Sequence, residues 1–587
     1  MTRTTFATAL LALSLTACAT APDGAGSVAP PHQTVEPVTV KIVGLNDFHG
    51  NIEPLRRPLT LPDGAGNQQE VRVAGAAYLA SAVAAVEAEA EYSMVIAAGD
   101  LIGASPLASS YFLDEPAIGA MNRLGLDFNA VGNHEFDRGW RELKRIQEGG
   151  CEKHSLREPC AVEPDFGGAD FAFLAANVVM PDGSTLFPAY SIKRFDTPAG
   201  ELAIGVIGLT LKDTPTLVTP SGVAGLTFGD EADAINRAVE ALEAEGVDAT
   251  VVAIHQGLYT EVGFNDKSCG GVSGALLDIL ARVDPRVDLV ISGHTHRAYV
   301  CDYSAIDASR EFLVTSAGYG GSFLTDITLT VDPAHGEVLA KSADNRVVQV
   351  SGPAVEGDTT TSNPAFPAYA PNAEVAGYVA QYVAAASEAA SRPVGRISGE
   401  ARDPGPATEE TQLGNLIADA QLFGTSEAGA QIALMNNSGV RTALVPAADG
   451  TVSYGDIYAV QPFGNTLITK SFTGAQLIAL LEQQFDDEGF VQTFSTSEGF
   501  EFSYDMRRPA GGRLVSATLD GEPIDPEKTY RVTMNSFLAA GGDSFTVFEQ
   551  GTEVTVGAID LDAMEAYLRE VDIRQLPDLG RVTEIGG

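Results

Sequence analysis

Five short apolar runs of this chain each end at a polar residue that can bind a metal ion. The runs are rich in valine and isoleucine and stop at glycine or a polar residue, which is typical of buried strands. The segments that follow them are Asn46-Asp47-Phe48-His49, Gly99-Asp100, Gly132-Asn133-His134-Glu135-Phe136-Asp137, His255 and Gly293-His294-Thr295-His296. Ligands bind outside the carboxyl ends of strands in open α/β sheets. The pattern therefore predicts one edge of one sheet that gathers these side chains, as a two-metal hydrolytic centre requires.

The residue types in these segments favour a mixed nitrogen and oxygen ligand set. Asp-x-His and His-x-His place two side chains on the same side of an extended segment, so that both reach one ion. A carboxylate such as Asp100 can bridge two ions. The candidate ligands are Asp47, His49, Asp100, Asn133, His255, His294 and His296. Such a set suits Zn, Mn, Fe or Co better than thiophilic metals, and we expect two divalent ions, with Zn, Mn or Co favoured.

A candidate acid–base pair lies inside the third segment. His134 and Asp137 are three residues apart in one turn. This spacing lets Asp137 accept one ring N–H while His134 protonates a leaving oxygen. Taken singly, His255 would also fit a histidine of the hydrophobic core, and Gly99-Asp100 would also fit a turn. The five segments in order, each closing a strand, favour the metal centre.

Together these motifs resemble the calcineurin-like metallophosphoesterases. The family pattern is Asp-x-His, Gly-Asp, Gly-Asn-His-Glu, a further His and Gly-His-x-His, and no part of it is broken here. The resemblance implies an α/β fold in which a β-sandwich of two mixed sheets is flanked by helices. It implies one ion held by Asp47, His49, Asp100 and His296, and a second held by Asp100, Asn133, His255 and His294. It also implies His134 and Asp137 as the catalytic residues.

Changes of composition divide the chain into two domains and their connections. The stretch 351–372 is rich in Gly, Pro, Thr and Ser without periodicity, and 373–391 then predicts one helix stopped before Pro393. We expect a signal peptide with lipobox (1–18), a flexible tether (19–37), a metallophosphoesterase domain (38–350), a linker with hinge helix (351–392) and a C-terminal α/β domain (393–587).

Four stretches of the second half, 413–420, 436–441, 461–465 and 535–543, resemble the 5′-nucleotidase C-terminal domain. The resemblance implies that Phe463 and Phe537 sandwich a base and that Arg441 engages the anionic end of the substrate. The implied binding residues are Asn436, Arg441, Phe463, Asn465, Phe537 and Asp543, with Asn436 and Asp543 on the ribose. The chain departs from the family before the first stretch, where Arg402 is the only arginine, which predicts a weaker hold on the anionic end.

The first residues predict export. Arg3 precedes an apolar stretch, 6–15, which is too short to span a membrane and fits a secretion signal. Leu15-Thr16-Ala17-Cys18 resembles a lipobox, with Cys18 as the lipidated residue, whereas cleavage after Ala19 or Ala21 is the alternative. We expect a periplasmic or surface lipoprotein whose membrane contact is this anchor.

The four remaining cysteines predict two disulfides. Three pairings are possible in an exported chain. The local pair Cys151–Cys160 is favoured, which leaves Cys269 with Cys301 near His294. The alternative, metal thiolates, is disfavoured because the spacings match no zinc motif.

The leading hypothesis is an exported metal-dependent nucleotidase that removes the 5′-phosphate of nucleotides for salvage. The net charge of −42 disfavours a nucleic acid polymer as partner, so we expect a small nucleotide and a monomer. The alternative is another activity of the same centre, either a UDP-sugar or dinucleotide pyrophosphatase or a 2′,3′-cyclic nucleotide phosphodiesterase. The apparent base sandwich argues against a further possibility, a thiosulfate-ester hydrolase. From another class, a surface nucleotide-binding protein with vestigial catalysis is opposed by the intact His134 and Asp137.

Overall fold

The structure is a computed structural model that describes residues 36–55, 58–62, 67–154, 157–218, 220–352, 363–402, 408–485 and 492–586. The predicted signal peptide, the lipidation site Cys18 and nearly all of the predicted tether lie outside the described residues. Part of the predicted linker, 353–362, also lies outside them. Within the described residues, none of the helices combines the length and apolarity that crossing a bilayer requires.

The first half of the chain alternates strands and helices. Its strands are β1 Val38–Leu45, β2 Leu59–Pro62, β3 Gln68–Val71, β4 Tyr92–Ala97, β5 Phe128–Ala130, β6 Ala172–Leu174, β7 Val178–Val179, β8 Tyr190–Thr197, β9 Gly200–Leu209, β10 Thr227–Phe228, β11 Ala249–Ile254, β12 Leu289–Ser292, β13 Ala298–Asp302, β14 Leu313–Ala317, β15 Phe323–Asp332, β16 Glu337–Val347, β17 Gln349–Val350 and β18 Ala368–Tyr369. Its helices are α1 Ala76–Glu87, α2 Leu107–Ser110, α3 Glu115–Leu124, α4 Trp140–Glu148, α5 Thr214–Leu217, α6 Glu231–Glu245, α7 Leu276–Leu280 and α8 Ala373–Ser391.

The second half mixes strands and helices in the same way. Its strands are β19 Pro393–Arg396, β20 Ile432–Asn436, β21 Thr451–Ser453, β22 Thr466–Thr473, β23 Phe494–Thr496, β24 Phe500–Tyr504, β25 Leu514–Leu519, β26 Glu522–Pro523, β27 Thr529–Asn535, β28 Thr552–Ile559 and β29 Val582–Glu584. Its helices are α9 Gln412–Gly424, α10 Tyr454–Val460, α11 Gly474–Gln483, α12 Ser536–Ala539 and α13 Asp560–Arg569.

Two six-stranded sheets form the framework of the described part of the first half, in the orders β16-β15-β1-β4-β5-β6 and β13-β14-β12-β11-β9-β8. β1, β4 and β5 run parallel in the first sheet, and β9, β11 and β12 run parallel in the second. The sheets face each other across a shared core to which Ile42 and Met94 contribute from one side and Ile204 and Val251 from the other.

The prediction that all five site-bearing strands lie in one sheet is therefore wrong. β1, β4 and β5 belong to one sheet, whereas β11 and β12 belong to the other. The site still forms, because the carboxyl ends of the two parallel sets meet at the same end of the sandwich. A buried strand has the same apolar sequence in either sheet, so the runs alone do not distinguish the two arrangements.

The helix predicted at 373–391 forms with these bounds as α8. The side chain of Asn372 caps its N-terminus by accepting the N–H groups of Glu374 and Val375. The side chains of Tyr378 and Tyr382 are buried in the core of the first half. The helix is thus packed on the metallophosphoesterase-like half, and it also contacts α10 of the second half.

The described part of the second half is built on a five-stranded sheet in the order β23-β20-β27-β22-β28 and a four-stranded sheet in the order β26-β25-β24-β29. Leu477 and Leu480 of α11 pack in one core beside these sheets. A further core contains Leu416 of α9 and Tyr458 of α10, and it includes Leu107 of α2 from the first half. Apolar packing therefore continues across the boundary between the halves.

Both predicted disulfides are confirmed. Cys151 is bonded to Cys160, and Cys269 is bonded to Cys301. The first bond joins two positions that follow α4 in the chain, and the second ties the loop after β11 to β13.

Candidate active site

The seven predicted metal ligands converge at the shared end of the two sheets. Ligand atoms within 4.8 Å of one another define two groups, which are Asp47, His49 and His296, and Asp100, His255 and His294. Asp100 lies between the groups, because its Oδ2 is 3.0 Å from His255 Nε2 and 3.6 Å from His49 Nε2. Asn133 Oδ1 is 3.1 Å from a ring nitrogen of both His255 and His294.

Several of these residues have a backbone conformation that non-glycine residues rarely adopt. Positive φ angles of 46° to 70° occur at Asp47, His49, Asp100, His294 and His296. Each such residue costs on the order of 1–3 kcal/mol, and such strain clusters at functional sites. The strained conformation lets side chains from two different sheets point into one small volume.

Hydrogen bonds across the loops hold this conformation. Asp47 N–H donates to Gly99 O at 3.0 Å, and His49 N–H donates to Asp100 O at 2.9 Å. His294 N–H donates to Asp47 Oδ2 at 2.9 Å, which joins the two sheets. A Cβ added at Gly132 would stand 2.2 Å from Asp100 Oδ1, so this position requires glycine.

The ring nitrogens of His49 and His255 are oriented by backbone carbonyls. His49 Nδ1 lies 2.9 Å from Gly103 O, and His255 Nδ1 lies 2.8 Å from Ala98 O. A carbonyl only accepts, so Nδ1 carries a proton in both rings and Nε2 is the nitrogen directed into the cluster. Burial lowers the pKa of His49 to about 3, which keeps this ring neutral, as metal ligation requires.

The buried carboxylates make the cluster electrostatically suited to cations. Asp47 and Asp100 are at most 1% exposed. Burial lowers the pKa of His255, but Asp100 and then Asp47 outweigh it and raise that pKa to about 10. Positive charge is therefore stabilised at this point. The donors, imidazole nitrogen with carboxylate and amide oxygen, fit Zn, Mn or Co.

Glu135 is a site residue that was not predicted from the sequence. It is 2% exposed. Its carboxylate accepts the N–H groups of Asp100 at 2.9 Å, Leu101 at 2.8 Å and Gly132 at 2.7 Å. It thereby fixes the loops after β4 and β5 relative to each other. The Gly-Asn-His-Glu motif contains the signal, since a glutamate two residues after Asn133 must lie at the same strand end.

The two residues of the predicted acid–base pair are hydrogen-bonded to each other. His134 Nδ1 lies 2.9 Å from Asp137 Oδ2, and the His134 N–H donates to Asp100 Oδ1 at 2.9 Å. Burial lowers the pKa of His134, but the carboxylates of Asp137 and Asp100 outweigh it and raise this pKa overall. With Nδ1–H donated to Asp137, Nε2 is the atom available for proton transfer.

The second half of the chain reaches His134 of the predicted acid–base pair through Phe463. Its ring stacks on that of His134, with centroids 6.1 Å apart and an angle of 19° between the planes. The guanidinium of Arg441 lies 5.9 Å from the centroid of the Phe463 ring. The structure thus brings two of the predicted substrate residues to the metal-bearing half.

Asp543, another predicted substrate residue, is surrounded by hydrogen-bond donors, one of which is the predicted Asn436. Its Oδ2 accepts hydrogen bonds from Asn436 Nδ2 at 2.9 Å, Ser438 Oγ at 2.7 Å and Gln492 Nε2 at 2.9 Å. Ser438 and Gln492 were not predicted from the sequence, because nothing in it showed which donors would face this carboxylate.

Two further predicted residues have structural contacts of their own. Phe537 is partly buried and packs against the core around α11. Asn465 Oδ1 accepts from Ser536 Oγ at 3.0 Å, and its carbonyl accepts the N–H of Asp560 at 2.8 Å. Arg402 is exposed, and 403–407, which belong to the divergent stretch, lie outside the described residues.

Two family models match the chain. The model of calcineurin-like phosphoesterases matches residues 40–298, and that of the 5′-nucleotidase C-terminal domain matches residues 393–550. The chain belongs to the phosphoesterases that join these two domains. It is therefore a metal-dependent phosphoester hydrolase with a two-domain α/β fold, as the motifs predicted.

Individual relatives align along nearly the whole chain. Endonuclease YhcR of Bacillus subtilis is 28% identical over 540 residues, which are 92% of this chain but 40% of the relative. The cell wall protein Lmo0130 of Listeria monocytogenes is 28% identical over 571 residues, 91% of this chain and 67% of the relative. This chain therefore spans less than half of the endonuclease and about two thirds of the cell wall protein.

A solved structure shares the fold of both halves. The 5′-nucleotidase precursor from Thermus thermophilus superposes with a TM-score of 0.71 at 26% sequence identity, covering 94% of this chain and all of the other.

Proposed function

We propose that this phosphoesterase is an exported, dinuclear 5′-nucleotidase that releases phosphate from small nucleotides for salvage. The observation that carries the proposal is the contact between the halves, where Phe463 of the nucleotidase-type domain stacks on His134 of the metal-bearing domain. Such a contact puts an aromatic surface for a base beside the group that would protonate the leaving oxygen.

Two divalent ions are proposed for the two ligand groups. Asp47, His49 and His296 would hold one, and His255, His294 and Asn133 would hold the other, with Asp100 shared between them. When bound, such ions polarise phosphoryl oxygens and lower the pKa of a water nucleophile to about 7.

The residues of this chain divide the remaining work. We propose that His134 protonates the leaving oxygen from Nε2, while Asp137 fixes the ring through Nδ1 and stabilises its charged form. Arg441 provides a planar donor fork for phosphate oxygens. Phe463 and Phe537 would stack on the base, a contact worth about 1–3 kcal/mol and tolerant of base identity. Asn436, Asn465 and Asp543 would contact the sugar side.

Substrate entry and product release would require the halves to separate. Phe463 and His134 belong to different domains, so a closed contact between them blocks the space where a nucleotide would lie. Because α8 packs on the first half, the hinge of such a motion is proposed at its C-terminal end, near Arg392 and Pro393. Spin labels on the two domains measure the distance between them. If this distance is the same with and without nucleotide, the proposed motion is contradicted.

Export is supported by the composition of the N-terminus and by the relative that is named a cell wall protein. A lipid at Cys18 would anchor the chain. Metabolic labelling with a palmitate analogue tests this part, since a Cys18→Ala variant is expected to lose the label. Labelling that persists in the variant would contradict it.

The decisive experiment is phosphate release by the purified chain with Mn, Zn, Co or Mg. The panel contains AMP, UMP, ATP, UDP-glucose, 2′,3′-cyclic AMP and bis(p-nitrophenyl) phosphate. We expect turnover of AMP and UMP and its loss in His134→Ala. His335→Ala is a matched control, because His335 forms the same type of i,i+3 pair with Asp332 on the surface, at 2.8 Å.

The other outcomes are equally informative. Activity confined to diesters or pyrophosphates would replace the 5′-nucleotidase assignment by a phosphodiesterase or pyrophosphatase on the same centre. Nucleotide binding without turnover under any metal would favour the surface nucleotide-binding protein.

A further inference from the structure

We propose that the cleft between the two halves binds a second, non-scissile phosphate group of the substrate, an inference that rests on the proposed nucleotidase function. The cleft has a volume of about 840 Å³. Asp137, Trp140 and Arg141 line it from the first half, and Phe463 and Asn465 line it from the second. Its size lies in the range of small-molecule sites.

The cleft is adjacent to the reacting position. Asp137, which lines it, accepts the hydrogen bond of His134. Phe463, which also lines it, stacks on the same His134 ring. A substrate held by the metal ligands and extended past Phe463 would therefore place its next group in this cleft.

Arg141 is the residue best placed to bind an anion there. It is exposed, and its guanidinium stacks on the Trp140 ring at 4.4 Å from the centroid. In the part of the chain that the structure describes, no carboxylate lies within ion-pair distance of it. A guanidinium held flat by an aromatic ring keeps its in-plane N–H groups for a phosphate.

Two further arginines line the same cleft with different roles. Arg157 is held between aromatic rings of both halves, 4.7 Å from that of Tyr111 and 5.6 Å from that of Tyr458. Arg138 is paired with Asp114 at 2.6 Å, which neutralises it. Arg157 therefore adds positive charge to the cleft, whereas Arg138 mainly supports its wall.

The N-terminus of α4 adds to this potential. The helix has nine residues, and no side chain caps it at Gly139. Gly139, Trp140 and Arg141 line the cleft, so the positive end of the helix dipole lies beside the arginines.

The charge of the cleft differs from that of the molecule. Arg141 and Arg157 line it against Asp137 and Asp562, of which Asp137 is engaged by His134, while Arg138 is neutralised by Asp114. The whole chain has 36 Lys and Arg against 78 Asp and Glu. A local excess of positive charge in so acidic a protein indicates an anionic ligand. Trp140 and Tyr454 offer surfaces on which an attached base can stack.

Two sources carry this chemistry, namely the internucleotide phosphate of a 5′-phosphorylated dinucleotide and the additional phosphate of a nucleoside diphosphate. Steady-state kinetics distinguish them with pApA, ADP and AMP as substrates. We expect Arg141→Ala to lower the kcat/KM of pApA relative to AMP about tenfold. Arg237→Ala, an exposed arginine of α6 outside the cleft, is the control that leaves the ratio unchanged.

The outcomes assign the source or reject the site. If Arg141→Ala lowers kcat/KM relative to AMP for ADP and not for pApA, the nucleoside diphosphate is the source of the second phosphate. Unchanged ratios for both substrates in Arg141→Ala would overturn the proposal.

Binding gives a readout that does not depend on turnover. Trp140 is the only tryptophan of the chain, so intrinsic tryptophan fluorescence reports on this cleft alone. We expect ApA, which has the second phosphate but no 5′-phosphate, to change the emission at about tenfold lower concentration than adenosine. Arg141→Ala should remove this difference, whereas Arg237→Ala should retain it.

The titration separates the two proposals. If AMP is not hydrolysed but ApA still binds through Arg141, the proposed function fails and the site stands. If AMP is hydrolysed and ApA and adenosine are indistinguishable, the site is rejected and the function stands.

Discussion

Replacing Asp137 by asparagine tests how the proposed catalytic pair works. Asp137 Oδ2 lies 2.9 Å from His134 Nδ1, and the side chains of His134 and Asp137 are only 14% and 18% exposed. A hydrogen bond to a charged group in such surroundings contributes about 1.5–3 kcal/mol. Asparagine keeps the shape but carries no charge to stabilise the protonated ring. We therefore expect kcat for AMP to fall about 10- to 100-fold.

The choice of substrate reveals whether proton transfer is what is lost. The alkoxide that leaves from AMP is a strong base and needs a proton, whereas p-nitrophenolate leaves without one. His134→Ala, which removes the acid entirely, should cost about 10²- to 10⁴-fold on AMP. For both variants we expect p-nitrophenyl phosphate turnover to change only a few fold.

Stopped assays of phosphate and p-nitrophenol release, with metal content measured on the same samples, give the comparison. Asp332→Asn is the control, because Asp332 binds His335 in a matching surface pair. Equal losses on AMP and p-nitrophenyl phosphate would refute the reasoning, since they would mean that Asp137 supports the metal site or the fold rather than the proton transfer.

Four other perturbations have defined outcomes. Elemental analysis should find two divalent ions per chain, and chelation should abolish phosphate release until Mn, Zn or Co is restored; one ion at full activity would contradict the dinuclear centre. Glu135→Gln should reduce metal content and activity together, because one end of the amide cannot accept the N–H groups now bound by the carboxylate; unchanged metal content would exclude this positioning role. Burial raises the pKa of Asp560 from 3.8 to about 7, so the buried carboxyl has no effect on the free energy of unfolding near pH 4 and destabilises the fold increasingly as the pH rises to 7, by about 4 kcal/mol at most. Asp560→Asn should therefore raise the melting temperature more at pH 8 than at pH 5. Equal increases at both pH values would be inconsistent with a buried charge. Replacing Cys151 and Cys160 by serine should lower the free energy of unfolding by about 2–3 kcal/mol, because the closed loop is short; chemical denaturation measures it, and no change would mean that the loop is held by its other contacts.

The local parts of the site followed from the sequence because each depends on neighbouring residues. A strand that ends at a polar residue presents that residue at the sheet end, and a His three residues before an Asp can bind it within one turn. The helix α8 was predictable for the same reason, since Asn372 caps one end and Pro393 limits the other. The near disulfide Cys151–Cys160 is another local feature.

The relations between distant segments could be known only from the tertiary structure. Buried strands of the two sheets have the same apolar pattern, so their distribution over two sheets was not readable from the runs. The three N–H groups that meet Glu135 come from two loops, and the donors around Asp543 come from two segments.

The sequence by itself therefore determined the chemistry of this protein: which atoms could bind metal, which pair could move a proton, and which family pattern they form. The tertiary structure decided where these groups stand relative to one another. It joined two sheets at one end, stacked Phe463 on His134, and left an arginine-lined cleft beside them. The physical reason is range: hydrogen bonding and chain geometry act over a few residues, whereas packing between remote surfaces depends on the shape of the whole molecule.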